Sequence, residues 1–125
     1  MPRTGPVLGV LAGLPTSDID RGIAWLSVVL GEEPNARPMP VLADWYLGPA
    51  GTVQLVLDPD RAGGGLLTLQ VDDVTAVAGR LRAAGITLEV DATSSERVAF
   101  GTATDPDGNA VTLVEAKPGF APQGG

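Results

Sequence analysis

The feature that most constrains this chain is that it is written twice. A first passage runs from the apolar, glycine-punctuated stretch Val7 to Leu14, through a cap and a helix, to Gly31. A second runs from Leu66-Leu67-Thr68-Leu69-Gln70-Val71 through Asp72-Asp73 to Gly85, about 55 residues further on,. Ile19, Ile23, Leu26 and Leu30 recur at helical spacing in the first passage, and Val74, Val77, Ala78, Leu81 and Ala84 do so in the second,. Ser17 or Asp18 is placed to cap the first helix and Asp72-Asp73 the second, because a short side-chain oxygen accepts from the free amides of a first turn. Each helix then stops at a glycine suited to the left-handed C′ position. The tails correspond as well, Val53-Gln54-Leu55-Val56 with Val111-Thr112-Leu113-Val114.

Each half therefore reads as strand, helix, then short strands. These are expected near 43–47 and 52–57 in the first half, with room for an irregular edge strand before them, and near 87–90, 98–102 and 110–115 in the second,. The predicted class is α+β. A chain of 125 residues fits one domain,, with a first module at about 7–58 and a second at about 66–116. Asp58-Pro59-Asp60-Arg61-Ala62-Gly63-Gly64-Gly65 lies between them, and its proline and three glycines read as a turn and hinge over 59–65,. No helix at phosphate-loop spacing follows those glycines, so a phosphate cradle is not supported. The Gly/Pro/Gln-rich end, 117–125, reads as a disordered tail,.

Side-chain alternation then divides the strands into two faces. Leu67, Leu69 and Val71 oppose Leu66, Thr68 and Gln70; Val53, Leu55 and Leu57 oppose Thr52, Gln54 and Val56. Val111 and Leu113 oppose Ala110, Thr112 and Val114; Leu8, Val10, Ala12 and Leu14 oppose Val7, Gly9, Leu11 and Gly13. One face of each set is apolar enough to lie under a helix. The other mixes small, amide, hydroxyl and apolar groups, as a ligand cleft does and as an ordinary solvent-facing sheet also does. Gly9 and Gly13 favour the cleft, since glycine weakens a strand unless something approaches it closely.

Composition decides which chemistry is open to such a cleft. There is no cysteine and no histidine, which removes disulfides, thiol nucleophiles, the commonest general base and the commonest transition-metal ligands. A net charge of −7 argues against nucleic acid or an anionic membrane surface as partner. No window is apolar enough for a transmembrane helix or a signal peptide, so the expected location is cytoplasmic.

Two stretches carry a family resemblance over nearly the whole chain. They are Leu69-Gln70-Val71-Asp72-Asp73-Val74 through the helix to Asp105-Pro106-Asp107-Gly108-Asn109-Ala110-Val111-Thr112-Leu113-Val114-Glu115, and Leu14-Pro15-Thr16-Ser17-Asp18-Ile19-Asp20-Arg21 with Trp25, Leu30 and Gly31. They resemble the glyoxalase/bleomycin-resistance/extradiol-dioxygenase group, the vicinal oxygen chelate superfamily. The resemblance implies two βαβββ modules forming a curved mixed sheet around a cleft, usually in homodimers. It also implies, for enzymes of the group, a divalent metal held by His and Glu. The matching positions here are Leu11, Gln54, Leu66 and Thr112. All four fall on the free face derived from alternation. Two leucines cannot coordinate, and an amide with a hydroxyl is too weak a donor set; the expectation is a family fold without a metal site and without a cofactor.

The Asp-Pro-Asp-Gly-Asn segment does not follow a calcium loop, since glycine stands fourth rather than sixth and Ala116 holds the twelfth position,; it reads as a hairpin turn. Trp25 reads as core. Of Trp45 and Tyr46, one must face the cleft; Phe100 lies on a strand where it could face either way. The acids considered for acid–base work are Asp58 at a strand end, Asp44, and Glu115, which alternation puts under a helix.

These readings lead to a metal-independent protein that binds a small apolar or aromatic organic molecule, an antibiotic or a metabolite, in a cleft shared by two chains. The expected ligand contacts are Trp45 and Phe100 by stacking, Gln54, Thr68, Gln70 and Thr112 by hydrogen bonding, and Leu11, Val56 and Leu66 as apolar walls. The alternative is a metal-free lyase, isomerase or cyclase using one cleft carboxylate. A third possibility is a module whose dimer interface is its whole function.

Overall fold

The helix boundaries follow from local chemistry. The computed structural model describes residues 5–49 and 51–119. In it, Asp18 is extended (φ −145, ψ 105) and its carboxylate accepts from Arg21 N, which starts helix α1 (Ile19–Leu30). Gly31 ends that helix in the left-handed conformation, φ 77. Asp73 caps helix α2 (Val74–Ala83) in the same way, accepting from Ala76 N, and Gly85 follows its end at φ 84. Of the two candidate caps, Ser17 is not used; its hydroxyl serves the second module instead, as described below.

Six strands complete the order: β1 (Val10–Thr16), α1, β2 (Leu42–Tyr46), β3 (Gly51–Leu57), β4 (Leu66–Gln70), α2, β5 (Val98–Thr104) and β6 (Ala110–Ala116). They form two three-stranded mixed sheets, β1-β3-β2 and β4-β6-β5. In each, the first strand of the module pairs in parallel with the last, and the middle strand pairs with the last in antiparallel fashion. The internal repeat of the sequence is thus a repeat of topology, and the class is α+β. Each sheet also carries one isolated bridge beyond its middle strand, Ala36 to Asp44 and Asp91 to Phe100.

That second bridge corrects the strand expected at 87–90, which pairs only at Asp91. Leu88 is buried against the edge of β5 beside Gly101. A Cβ on Gly101 would stand 2.6 Å from Glu89 O and 3.0 Å from Leu88 Cγ. The segment therefore meets β5 through Leu88 and Glu89 packed at Gly101 and through the single Asp91–Phe100 bridge. The first strand also starts later than the apolar pattern suggested, at Val10, and Leu8 and Val10 stay exposed.

One apolar core serves both modules. Leu14, Leu26, Val29, Trp45, Val53 and Leu55 from the first join Leu67, Leu69, Leu81, Leu88, Val111 and Leu113 from the second. Arg80 of α2 donates to the free carbonyls of Val28 and Val29 at the C-terminal turn of α1, the second at 2.9 Å. There it satisfies orphan acceptors and complements the helix dipole. Among the described residues no helix is long and apolar enough to cross a membrane.

The modules are locked by the Asp-Pro-Asp-Gly-Asn turn. Asn109 is fully buried. Its Nδ2 donates to Pro15 O (2.7 Å) and to Asp105 Oδ2 (2.7 Å), and its Oδ1 accepts from Gly63 N (2.9 Å) and Gly65 N (2.7 Å). The Asp107 carboxylate accepts from Thr16 Oγ1 (2.6 Å), Ser17 N (3.2 Å), the Ser17 hydroxyl and Arg21 Nη2 (3.1 Å). The segment expected to hinge, 59–65, is therefore pinned: Asn109 holds two of its amides. A Cβ on Gly65 would meet Asn109 Oδ1 at 2.7 Å and Pro15 Cδ at 2.8 Å, so only glycine lets β4 come this close to β1,. At the other end, Lys117 is anchored rather than loose. Its amide donates to Arg97 O (2.8 Å) and its Nζ to Ala92 O (2.7 Å) and Ser95 O. The remainder of the expected tail, from 120 on, lies outside the described residues.

Replacing Asn109 by alanine removes the side-chain partner of two amides, a carbonyl and an Asp105 carboxylate oxygen. It is expected to cost about 2–4 kcal/mol of stability in a urea titration. Acid should act through the same lock. Partial burial pushes the Asp107 carboxyl up, but hydrogen bonds from Ser17 and Thr16, together with Arg21, outweigh it and hold it below the ordinary aspartate value. A carboxyl lowered in the folded state stabilises fully above its unfolded pKa, about 3.9, and loses that contribution as pH falls through the folded value. Melting temperature should therefore fall below about pH 4, and less steeply in Asp107→Asn. Equal acid slopes in the two proteins would refute this role. Part of the slope belongs to Asp91, held at about 2 by the Ser94 hydroxyl and the amides of Ser94 and Thr93.

Candidate functional site

With one face of each sheet packed into the core, the opposite faces are left free, and cross-strand register arranges them in rows. In the first module the rows are Leu11, Thr52 and Tyr46; then Gly13, Gln54 and Asp44; then Pro15, Val56 and Leu42. In the second they are Leu66, Ala110 and Thr104; then Thr68, Thr112 and Thr102; then Gln70, Val114 and Phe100. The central row of each module holds one cross-strand hydrogen bond. Gln54 Nε2 donates to Asp44 Oδ1 at 2.9 Å, and the hydroxyls of Thr102 and Thr112 lie 2.8 Å apart. The repeat extends to this detail: an acid–amide pair in one module stands where the other has a hydroxyl pair.

The loop after α1 positions the first pair. Asn35 N and Ala36 N donate to Asp44 O, Asp44 N donates back to Ala36 O, and Asn35 Oδ1 accepts from Tyr46 N at 2.7 Å. These bonds cover the outer edge of β2 and fix its alternation. Asp44 is only 6% exposed, yet its side chain belongs to the free face.

Eight of the nine residues expected to touch a ligand stand on these free faces. Leu11 is 61% and Leu66 84% exposed, unusual values for leucines in strands,. Thr68 and Gln70 are exposed, and Gln54, Val56, Phe100 and Thr112 half-buried. Gln70 also borders a groove of about 530 Å³ whose walls include Val29, Leu30, Leu47, Val77 and Arg80. Trp45 is the exception and is corrected here. Its ring has no exposure, and its Nε1 donates to Glu32 O at 2.9 Å, so it is a satisfied core side chain. Tyr46, 53% exposed, takes the free-face place. The signal was present in Leu42-Ala43-Asp44-Trp45-Tyr46, where the polar alternate positions put Ala43 and Trp45 together on the buried side. Of the acids weighed, Glu115 lies under α2, accepting from Val74 N, and Asp58 pairs with Arg61 at 2.8 Å.

The four positions where the resemblance would put metal ligands, Leu11, Gln54, Leu66 and Thr112, do lie on the free faces, but their donors do not fit a divalent cation. Two hydrocarbons, an amide already bonded to Asp44 and a hydroxyl already bonded to Thr102 leave no anionic ligand at these positions,. Among the described residues no group of three or more acids stands ready to hold a metal ion.

The family model of the Glyoxalase/Bleomycin resistance protein/Dioxygenase superfamily matches residues 8–113, which takes in both modules. The chain belongs to this superfamily. Solved structures of the same fold agree. A glyoxalase/bleomycin resistance protein from Catenulispora acidiphila superposes with a TM-score of 0.80 at 29% identity, covering 88% of this chain and 99% of that one. TnmS3, an antibiotic binding protein from Streptomyces sp. CB03234, gives 0.74 at 23% identity over 87% and 95% of the two chains. A lactoylglutathione lyase from Agrobacterium tumefaciens gives 0.72 at 21% identity over 94% and 100%. A search of curated proteins finds no match. A lyase and an antibiotic binding protein are thus nearly equal to this chain in likeness of fold.

The reassignment of the aromatic pair can be checked directly. Trp45→Ala empties the core and should cost about 3–5 kcal/mol, whereas Tyr46→Ala should change stability by less than about 1 kcal/mol. Urea titrations of both variants measure this; comparable losses would contradict the placement.

Proposed function

We propose that this superfamily member binds a small, largely apolar or aromatic organic molecule on its free sheet faces, without a metal, and that sequestration of an antibiotic or similar metabolite is its task. The observation that carries this reading is the exposure of Leu11 and Leu66 at the positions equivalent by the repeat. Leaving two large apolar side chains in water is unfavourable unless something covers them. Around them stand a few polar groups that can orient a ligand, Gln54, Thr68 and Thr112, with Val56, Phe100 and Tyr46 as apolar or stacking surface. That one similar structure is of an antibiotic binding protein supports the same direction. A second copy of the chain closes the cleft, since the exposed Leu11, Leu66 and Tyr46 are open in the single chain, and the cytoplasm is the proposed compartment.

A second reading is favoured by one observation, the shielded carboxylate of Asp44. A metal-free lyase, isomerase or cyclase needs a base within reach of its substrate, and Asp44 is the shielded acid of the free face.

Calorimetric titration with planar aromatic antibiotics and aromatic metabolites, followed by mass spectrometry of the recovered compound, distinguishes the two. Saturable binding with the compound intact is expected. Leu66→Asp should weaken it by at least about tenfold by placing a charge in an apolar wall, without lowering the melting temperature. A compound recovered changed, with the change lost in Asp44→Asn, would overturn sequestration in favour of catalysis.

A further inference from the structure

We infer that Asp44 makes the free face of the first module a subsite for an organic ammonium group carried on an aromatic body. This rests on the small-molecule reading above and names the ligand class. The juxtaposition is that of Asp44, Gln54, Gly13 and Tyr46. Asp44 is 6% exposed, but its side chain lies on the free face, and Gln54 Nε2 holds Oδ1 at 2.9 Å. Oδ2 has no partner among the hydrogen bonds of the described residues, and neither of their two ion pairs involves Asp44. Arg37, the nearest cation in sequence, is turned to carbonyls, with Nε on Leu42 O at 2.6 Å and Nη2 on Pro40 O at 2.8 Å.

Oδ2 is not among the buried atoms that lack a partner, so it stays within reach of a ligand, and an ammonium group can give it the charged donor that the chain does not,. The fold itself does not require the charge. In the second module the equivalent row is met by the neutral Thr102–Thr112 pair, and aspartate is among the residues that strands disfavour.

The rest of the row suits the same ligand. A Cβ on Gly13 would meet nothing within 4 Å, so the floor beside Gln54 is open down to backbone. Tyr46, two residues along the same strand and therefore on the same face, offers a half-exposed ring for stacking or for a cation at its face,. The chain's net charge of −7 draws cations toward it and repels anions,.

The test compares 2-naphthylmethylammonium with the neutral 2-naphthylmethanol at pH 7, by calorimetry on the full chain. The wild type should bind the ammonium about tenfold more tightly, because only the ammonium brings a charge to pair with the carboxylate. Asp44→Asn keeps an oxygen for Gln54 and should bind the two probes about equally. If that variant does not fold, the wild type still decides: the Asp44 carboxyl carbon should shift in its ¹³C spectrum with the ammonium and not with the alcohol. Equal affinity for both probes in the wild type, or a preference that survives in Asp44→Asn, overturns the subsite while leaving the broader binding reading in place. Binding of neither probe overturns the subsite as well, and the antibiotic titration then judges the broader reading on its own.

Discussion

A buried asparagine side chain has four hydrogen-bonding positions to fill, and an interior site punishes each one left empty. Asn109 fills its positions with groups drawn from three separate places: the end of β1, the linker before β4 and its own turn. Asp107 extends the same hold to the corner between β1 and α1 through Thr16, Ser17 and Arg21. Everything else in the arrangement follows from that corner being fixed. β4 can lie beside β1 because Gly65 has no side chain to obstruct it, the two modules can share one core, and both free faces then have defined positions. The turn residues Asp105, Asp107 and Asn109 are thus joint residues between modules, with hairpin closure only part of their work.

The free faces show how two copies of one scaffold divide tasks. Strand register, helix caps and core positions are held in common, because each is needed for folding. The central rows have diverged, to an acid–amide pair in the first module and a hydroxyl pair in the second, while the leucines Leu11 and Leu66 remain matched. Chemistry thus varies between the modules where architecture does not. Leu11, Leu66, Gln54 and Thr112 leave that surface with amides, hydroxyls, one carboxylate and apolar groups to work with.

Much of this was legible in the sequence because it depends on local rules. The helix ends at Gly31 and Gly85, the acidic caps, the two modules and the sorting of Leu67, Leu69, Val53, Leu55, Val111 and Leu113 to the covered face all follow from period and capping. The misreadings have a common physical origin in long-range contacts. Gly63–Gly65 has the composition of a hinge, but composition does not reveal that a side chain 44 residues away accepts from Gly65 N. The stretch at 87–90 has strand-like residues, yet its course is set by Leu88 filling the space above Gly101. Trp45 was a different kind of error: aromatic residues suggest ligand stacking, and that suggestion displaced the alternation rule that would have buried it. Asp44 is named among the candidate acids, but its bond to Gln54 and the latching of the loop at 32–36 to its backbone are disclosed only by the fold.

The span of the inter-module joint has a kinetic side. Asn109 meets Pro15 across 94 positions of chain, and Asp107 meets Thr16 across 91. Contacts that distant require the closure of a long loop, whose entropic cost is met before the contact returns anything. During synthesis the first module emerges with its β1–α1 corner unmet and its apolar underside uncovered. Its partner is the turn between β5 and β6, so the contacts that join the modules are among the most distant in sequence that the domain has to close,.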